Sequence, residues 1–242
     1  MYGRAVDYYK EALGYFQERG NVREIAGYKL DLLNIAISKD SLREGPNGSI
    51  FPDVLQTLTA TIEQCKKLQD KSYLTYAYNL YGSYLLQKRE LDKAENYIDM
   101  SLKMSESKTQ LELLNLFHKG LIKKLKNNLP EAVVLLRKSE LIAEIRNNKY
   151  LMQRICQSLA ECYTALNNQD QAINYWKKTV AAVNRFYNSG ETQLTRNEFT
   201  SNELRVITME QQLADQKQRY WNAITGGIIL VLLVSGIFTY FI

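Results

Sequence analysis

The chain is predicted to be all-α: an α-solenoid of antiparallel helix pairs, followed by one long helix that forms a stalk and then a membrane anchor. Three observations predict this. Only three of the 242 residues are proline, and long stretches carry neither Pro nor Gly, which favours helices over a turn-rich β fold. One spacing of small and large residues recurs along the chain. The last twenty residues are apolar and carry no charge. A hydrophobic share of 45% with 24% charged residues is enough for a core and excludes wholesale disorder. The net charge of +5 is spread without any Lys/Arg block, so nucleic acid is not an expected partner.

Taking the elements in order, Ala5, Tyr9 and Ala12 share one helical face, and Gly27 follows 22 residues after Ala5 in a helix predicted over 22–38. Residues 44–52, Glu-Gly-Pro-Asn-Gly-Ser-Ile-Phe-Pro, form a turn-rich insertion. Leu58, Ile62 and Cys65 then restore the spacing of the first segment. Three clearer units follow. In each, a small residue is followed twelve positions later by a second small one, then a large one, then another small one. The first runs Gly82, Ala94, Ile98, Ser101; the second Gly120, Ala132, Leu136, Ser139; the third Ala160, Ala172, Trp176, Thr179. Small residues on two antiparallel helices let the axes approach, and the large residue one turn on fills the gap. Each pair leaves an apolar face that only a neighbour can cover, so the pairs must stack. Asn128-Leu-Pro130 places Pro in a first turn, and in Asn168-Gln-Asp170 the aspartate is the expected cap.

This spacing resembles the tetratricopeptide repeat. Tyr78, Leu116 and Cys156 stand where that family often has Trp. Leu85 and Tyr163 match its aromatic-or-Leu position, while Lys123 departs from it. The repeats lie 38 and 40 residues apart against the family's 34, and its closing Pro is missing. The resemblance implies a repeat domain over 1–187 that binds a protein or peptide along the concave surface of its first helices. By the same resemblance the exposed groove positions are Tyr76, Asn79 and Ser83; Leu114, Phe117 and Leu121; Arg154, Gln157 and Glu161. Only Asn79 matches the Lys/Asn set with which some members grip a C-terminal carboxylate, so a carboxylate clamp is not expected.

Beyond the repeats, Phe199, Val206, Leu213 and Tyr220 are seven apart with Met209 at a matching position, although Asn202 and Gln216 occupy the other d-type sites. This weak heptad seam predicts a helix over 195–242 whose part at 195–220 is a coiled-coil-like juxtamembrane stalk. Two arrangements fit the stripe: a stalk that forms a homodimer, or a capping helix folded back on the last repeat. The segment 221–242 is the expected transmembrane helix. About 20 apolar residues span the roughly 30 Å hydrocarbon layer, and Tyr220 and Trp221 at one boundary and Tyr240 and Phe241 at the other suit interfacial belts. Gly226, Gly227 and Gly236 do not form a GxxxG pair.

Little in the chain suggests chemistry. His118 is the one histidine, and no phosphate-binding, zincin or nucleophile-elbow motif occurs. Cys156 and Cys162 are roughly 9 Å apart along one helix, too far for a disulfide, and Cys65 stands alone, so no metal site is expected. Asn47-Gly-Ser49 reads formally as a glycosylation sequon. Many of the 17 tyrosines sit at helical spacings that suit packing between hairpins. No enzyme activity and no cofactor are expected.

Repeats, stalk and single span in that order resemble the sensor part of bacterial transmembrane regulators, in which the output is a helix-turn-helix domain or a histidine kinase. That resemblance implies a membrane-anchored interaction and signalling module, single-pass, in a bacterial inner membrane. A tail-anchored cytosolic adaptor shares the same order of parts. Lys217 and Arg219 before the span favour a cytoplasmic repeat domain. The chain opens within a second helix and ends at the last residue of the span, so it is expected to be a piece of a longer protein.

Overall fold

The computed structural model describes residues 2–40, 53–187 and 203–225. All regular structure in them is helical: α1 (Tyr2–Glu18), α2 (Val22–Asp40), α3 (Val54–Lys67), α4 (Lys71–Gln87), α5 (Leu91–Met104), α6 (Gln110–Leu125), α7 (Leu129–Ile145), α8 (Lys149–Ala165), α9 (Gln169–Tyr187) and α10 (203–225). They fall into two compact units, Met1–Asn148 and Lys149–Ile242. The insertion at 44–52, Phe199, Asn202 and the apolar run from Gly226 to Ile242 lie outside the described residues. No described helix is long and apolar enough to cross a membrane.

In the first unit α2 pairs with α3, α4 with α5 and α6 with α7, and α1 packs on α2. First helices sit side by side, α2 against α4 and α4 against α6. The small–large spacing marks where the axes meet. A Cβ on Gly82 would lie 2.6 Å from Ile98 Cδ1, and one on Gly120 would lie 2.8 Å from Leu136 Cγ. Gly27 makes room for a neighbouring first helix, since its missing Cβ would meet the Tyr73 hydroxyl at 2.7 Å. The closing small residue has a polar task. Ser101 donates its hydroxyl to the Thr75 carbonyl at 2.8 Å, and Ser139 donates to the Leu113 carbonyl at 3.2 Å. Tyr78, Leu116 and Cys156, at the family's Trp position, are all buried.

Lys123, the departure from the repeat pattern, bridges three helices. Its ammonium lies 2.8 Å from Glu95 on α5 and 3.0 Å from Glu131 on α7. Lys126 reaches Asp92 and Glu95 beside it. Burial alone would raise the Glu95 pKa, but hydrogen bonds from Lys123 and Lys126 outweigh it and hold the carboxyl below its usual range.

The tight turns share one geometry. Gln69, Arg89, Asn127, Asn147 and Asn167 have φ between +50° and +64°. In each case the next amide donates five residues back, as from Asn128 to Lys123, Asn148 to Ala143 and Asn168 to Tyr163. This left-handed closing residue satisfies carbonyls the helix end would otherwise orphan. Asn128 then caps α7 by accepting from the Glu131 amide. At α9 the cap is Asn168, which accepts from the Gln171 amide at 3.2 Å. The expected cap, Asp170, instead sits inside the first turn, where its charge complements the helix dipole.

In the second unit α8 packs on α9 around Ala160, Ala172 and Trp176, and α10 lies against α9. Val206 of α10 is buried, Met209 and Leu213 are half-buried, Arg205 stacks over Trp176 at 5.1 Å, and Lys177 meets Glu210 at 2.5 Å. The heptad stripe therefore begins as a capping helix on the last repeat. Residues 214–223 are exposed on every side.

Candidate functional site

Six of the nine expected groove residues come together in the first unit. Tyr76 and Ser83 on α4 and Leu114 and Leu121 on α6 are half-buried along adjacent first helices. Asn79 and Phe117 were expected to be exposed between them and are not, being 2% and 1% accessible. The fifth repeat position on α4 faces α6, so its side chain is covered by the next hairpin. The remaining three residues belong to the second unit. On α8, Arg154 is exposed, while Gln157 and Glu161 are half-buried and joined by a 3.2 Å hydrogen bond.

Asn79 belongs to a polar chain inside the first unit. Its amide nitrogen donates to Asn115 Oδ1 at 2.7 Å and lies 3.4 Å from His118 Nδ1. The Asn115 amide donates in turn to the hydroxyls of Ser101 and Ser105, at 2.8 Å and 3.0 Å. Three helices, α4, α5 and α6, are thus tied by side chains whose polar atoms find partners away from water, as buried polar groups must. The lone histidine is a half-buried neighbour of this chain. Among the described residues no cluster of three metal-ligating side chains occurs.

One groove contributor escaped sequence reasoning. Asp31 on α2 is half-buried; burial raises its pKa, and a hydrogen bond from the Tyr76 hydroxyl opposes that rise. Tyr28, one turn earlier on α2, is also half-buried and stacks on Phe16 at 5.3 Å. The signal was available, because Asp31 lies four residues after Gly27 and so belongs with the small position on a first helix. The surface of unit one therefore runs from a tyrosine–carboxylate pair on α2 and α4 to the leucines of α6.

The free thiols are buried. At Cys65, burial and then the nearby Asp70 charge push the pKa up to about 11, which keeps the thiol protonated and inert near neutrality.

No protein-family model and no curated protein matches the chain. Among solved structures it is similar to BtubC (BKLC) from P. vanneervenii, with a TM-score of 0.58 and 12% identity over 87% of this chain and 91% of that one. A second similar structure is MamA, at a TM-score of 0.44 and 15% identity over 78% of this chain and 98% of that one. The likeness to BtubC speaks to the fold alone. With the small–large spacing realised as close helix contacts, the fold is all-α and tetratricopeptide-like.

Proposed function

We infer that this chain is a membrane-tethered protein-interaction module. Its first helices offer a peptide or protein partner the surface around Tyr76, Ser83, Leu114 and Leu121. The observation that carries the reading is the side-by-side placement of α4 and α6 with these four residues half-buried on the two helices, an arrangement that leaves part of each side chain open to a docked partner. The tether is supported by the uncharged apolar run that ends the sequence and by the exposed Tyr220 and Trp221 before it. On this reading the module serves a bacterial transmembrane signalling or transcription regulator in the inner membrane. Lys217 and Arg219, exposed at the end of α10, favour a cytoplasmic repeat domain; that sidedness suits a tail-anchored adaptor equally.

A photo-crosslinking amino acid at Leu121 tests the surface. It should capture a discrete protein in intact cells, and the same probe at Lys93, exposed on α5, should not. The same product from both positions, or none from Leu121, overturns the assignment. Deleting 226–242 should move the chain from the membrane pellet to the supernatant; continued pelleting as an integral protein overturns the tether.

A further inference from the structure

Helix α7 carries an outward face unlike those of its sister helices. Consider positions two, six and nine residues after the small residue that meets the first helix. In α5, after Ala94, they hold Asn96, Met100 and Lys103; in α9, after Ala172, they hold Asn174, Lys178 and Ala181. In α7, after Ala132, they hold Val134, Lys138 and Leu141, and Ile145 extends the row by one turn. Val134, Leu141 and Ile145 are 54%, 59% and 58% exposed, while Leu136 and Ile142 on the other side of the helix are buried. The row is therefore no part of its own hairpin's core. Three large aliphatic side chains at one helical face, where equivalent helices are mostly polar, mark a contact surface.

The spacing of 134, 138, 141 and 145 is four, three, four, the d–a–d–a row of two heptads. Residues 137 and 144 then flank it at g positions, and they are Arg137 and Glu144. An antiparallel partner helix of the same sequence matches this row. One two-fold axis sets Val134 against Ile145 of the second copy and Lys138 against its Leu141, whose side chain the lysine stem can cover. The same axis sets Arg137 against Glu144 of the second copy. A parallel pair would instead place Lys138 against Lys138. Isologous contacts require this self-complementarity, and an unrelated partner would not. Arg137 pairs with Glu140 at 2.9 Å, and about half of its side chain is exposed; Glu144 is exposed.

We propose that this face of α7 is a self-association surface that pairs, antiparallel and two-fold, with α7 of a second copy. Two heptads bury less than the 1,200 Å² or so of a standard interface, so the dimer is transient and concentration-dependent.

A register-specific cross-link tests it on the full chain, held in excess detergent micelles. On one helix residues 134 and 145 lie about 16 Å apart, beyond the reach of a disulfide, and the native cysteines are buried. The double variant Val134→Cys/Ile145→Cys should form a covalent dimer under mild oxidation, and neither single variant should. Adding Leu141→Lys, which brings a second ammonium to Lys138, should cut the yield at least tenfold. Failure to cross-link while helicity and melting stay unchanged would overturn the proposal. So would efficient dimerisation of Val134→Cys alone, or a disulfide to a different protein in place of a second copy.

Discussion

Replacing Gly82 by alanine pits two effects of opposite sign against each other. Helix propensity favours the change by about 1 kcal/mol, since Gly is the poorest ordinary residue in a helix interior. The packing opposes it. The new methyl would sit 2.6 Å and 2.7 Å from the Ile98 side chain and 3.2 Å from the Ala94 carbonyl oxygen. Ile98 is β-branched, stiff at χ1 and fully buried, and a backbone carbonyl cannot swing aside. Overpacking of this kind costs about 1–3 kcal/mol, and the absence of any relief places it near the upper end. The net loss should be about 1–2 kcal/mol, a few degrees in melting temperature for a unit of this size. Gly14 supplies the control. It is also helical, but a Cβ there meets nothing within 4 Å, so Gly14→Ala should stabilise by about 0.5–1 kcal/mol. In an Ile98→Ala background the Gly82 substitution should change sign and stabilise, which a double-mutant cycle reads directly. The assay is urea unfolding followed by far-UV circular dichroism. If Gly82→Ala is as stable as the parent chain, or the two glycines respond alike, close approach at Ile98 does not hold this hairpin together.

Asn115→Leu should cost about 2–4 kcal/mol, because it removes the acceptor of one N–H of the buried Asn79 amide and strips the Ser101 and Ser105 hydroxyls of a donor; a loss under 0.5 kcal/mol in the same unfolding assay would contradict the network. Arg89→Gly, at φ +64°, should raise stability by about 0.5–1 kcal/mol by relieving left-handed backbone strain, seen as a higher melting temperature. The Glu95 carboxyl is held below its usual range. Its contribution is therefore present above the unfolded carboxylate pKa and fades as pH falls through the folded one; Glu95→Gln should flatten that acid limb of a stability–pH curve. Asp31 has the opposite sign. Its raised pKa makes the ionised form a cost that grows as pH rises through that value, so Asp31→Asn should be neutral or stabilising at pH 7 and lose its advantage in acid.

Much of the fold is written locally. Gly82 with Ile98 and Gly120 with Leu136 were legible because a missing Cβ and a large aliphatic side chain at fixed helical spacings have one efficient way to meet. The turns carry an equally local signal. Asn127-Asn128, Asn147-Asn148 and Asn167-Asn168 recur every twenty residues, each pairing a left-handed closing residue with the residue that leads into the next helix. Asparagine tolerates positive φ and caps helices, so these dipeptides mark three helix ends and the starts that follow. The expected cap, Asp170, lies two residues past the real one, Asn168, for the same reason. The heptad stripe was legible as a stripe, but which partner covers it depends on Trp176 and Lys177 of α9, which no periodicity in α10 encodes.

The candidate surface was less legible because a repeat period fixes the direction of a side chain and not what stands in front of it. Asn79 and Phe117 occupy one repeat position on successive first helices, yet both are buried, and for Asn79 exposure at that angle is decided by the next hairpin. For Asn79 the deciding groups are Asn115, Ser101 and Ser105, up to 36 residues away. A polar residue there signals an open groove only if nothing across from it can accept its hydrogen bonds. Lys123 makes the same point in reverse. Judged against the repeat pattern it is a defect in an apolar position, but Glu95 and Glu131 turn it into a tie among three helices. Departures from a repeat are therefore best read in pairs: an off-pattern cation or amide on one hairpin predicts an off-pattern acceptor on its neighbour. By that criterion the aliphatic row on α7 has no counterpart on the other described second helices, which is why the proposal above pairs it with a second copy.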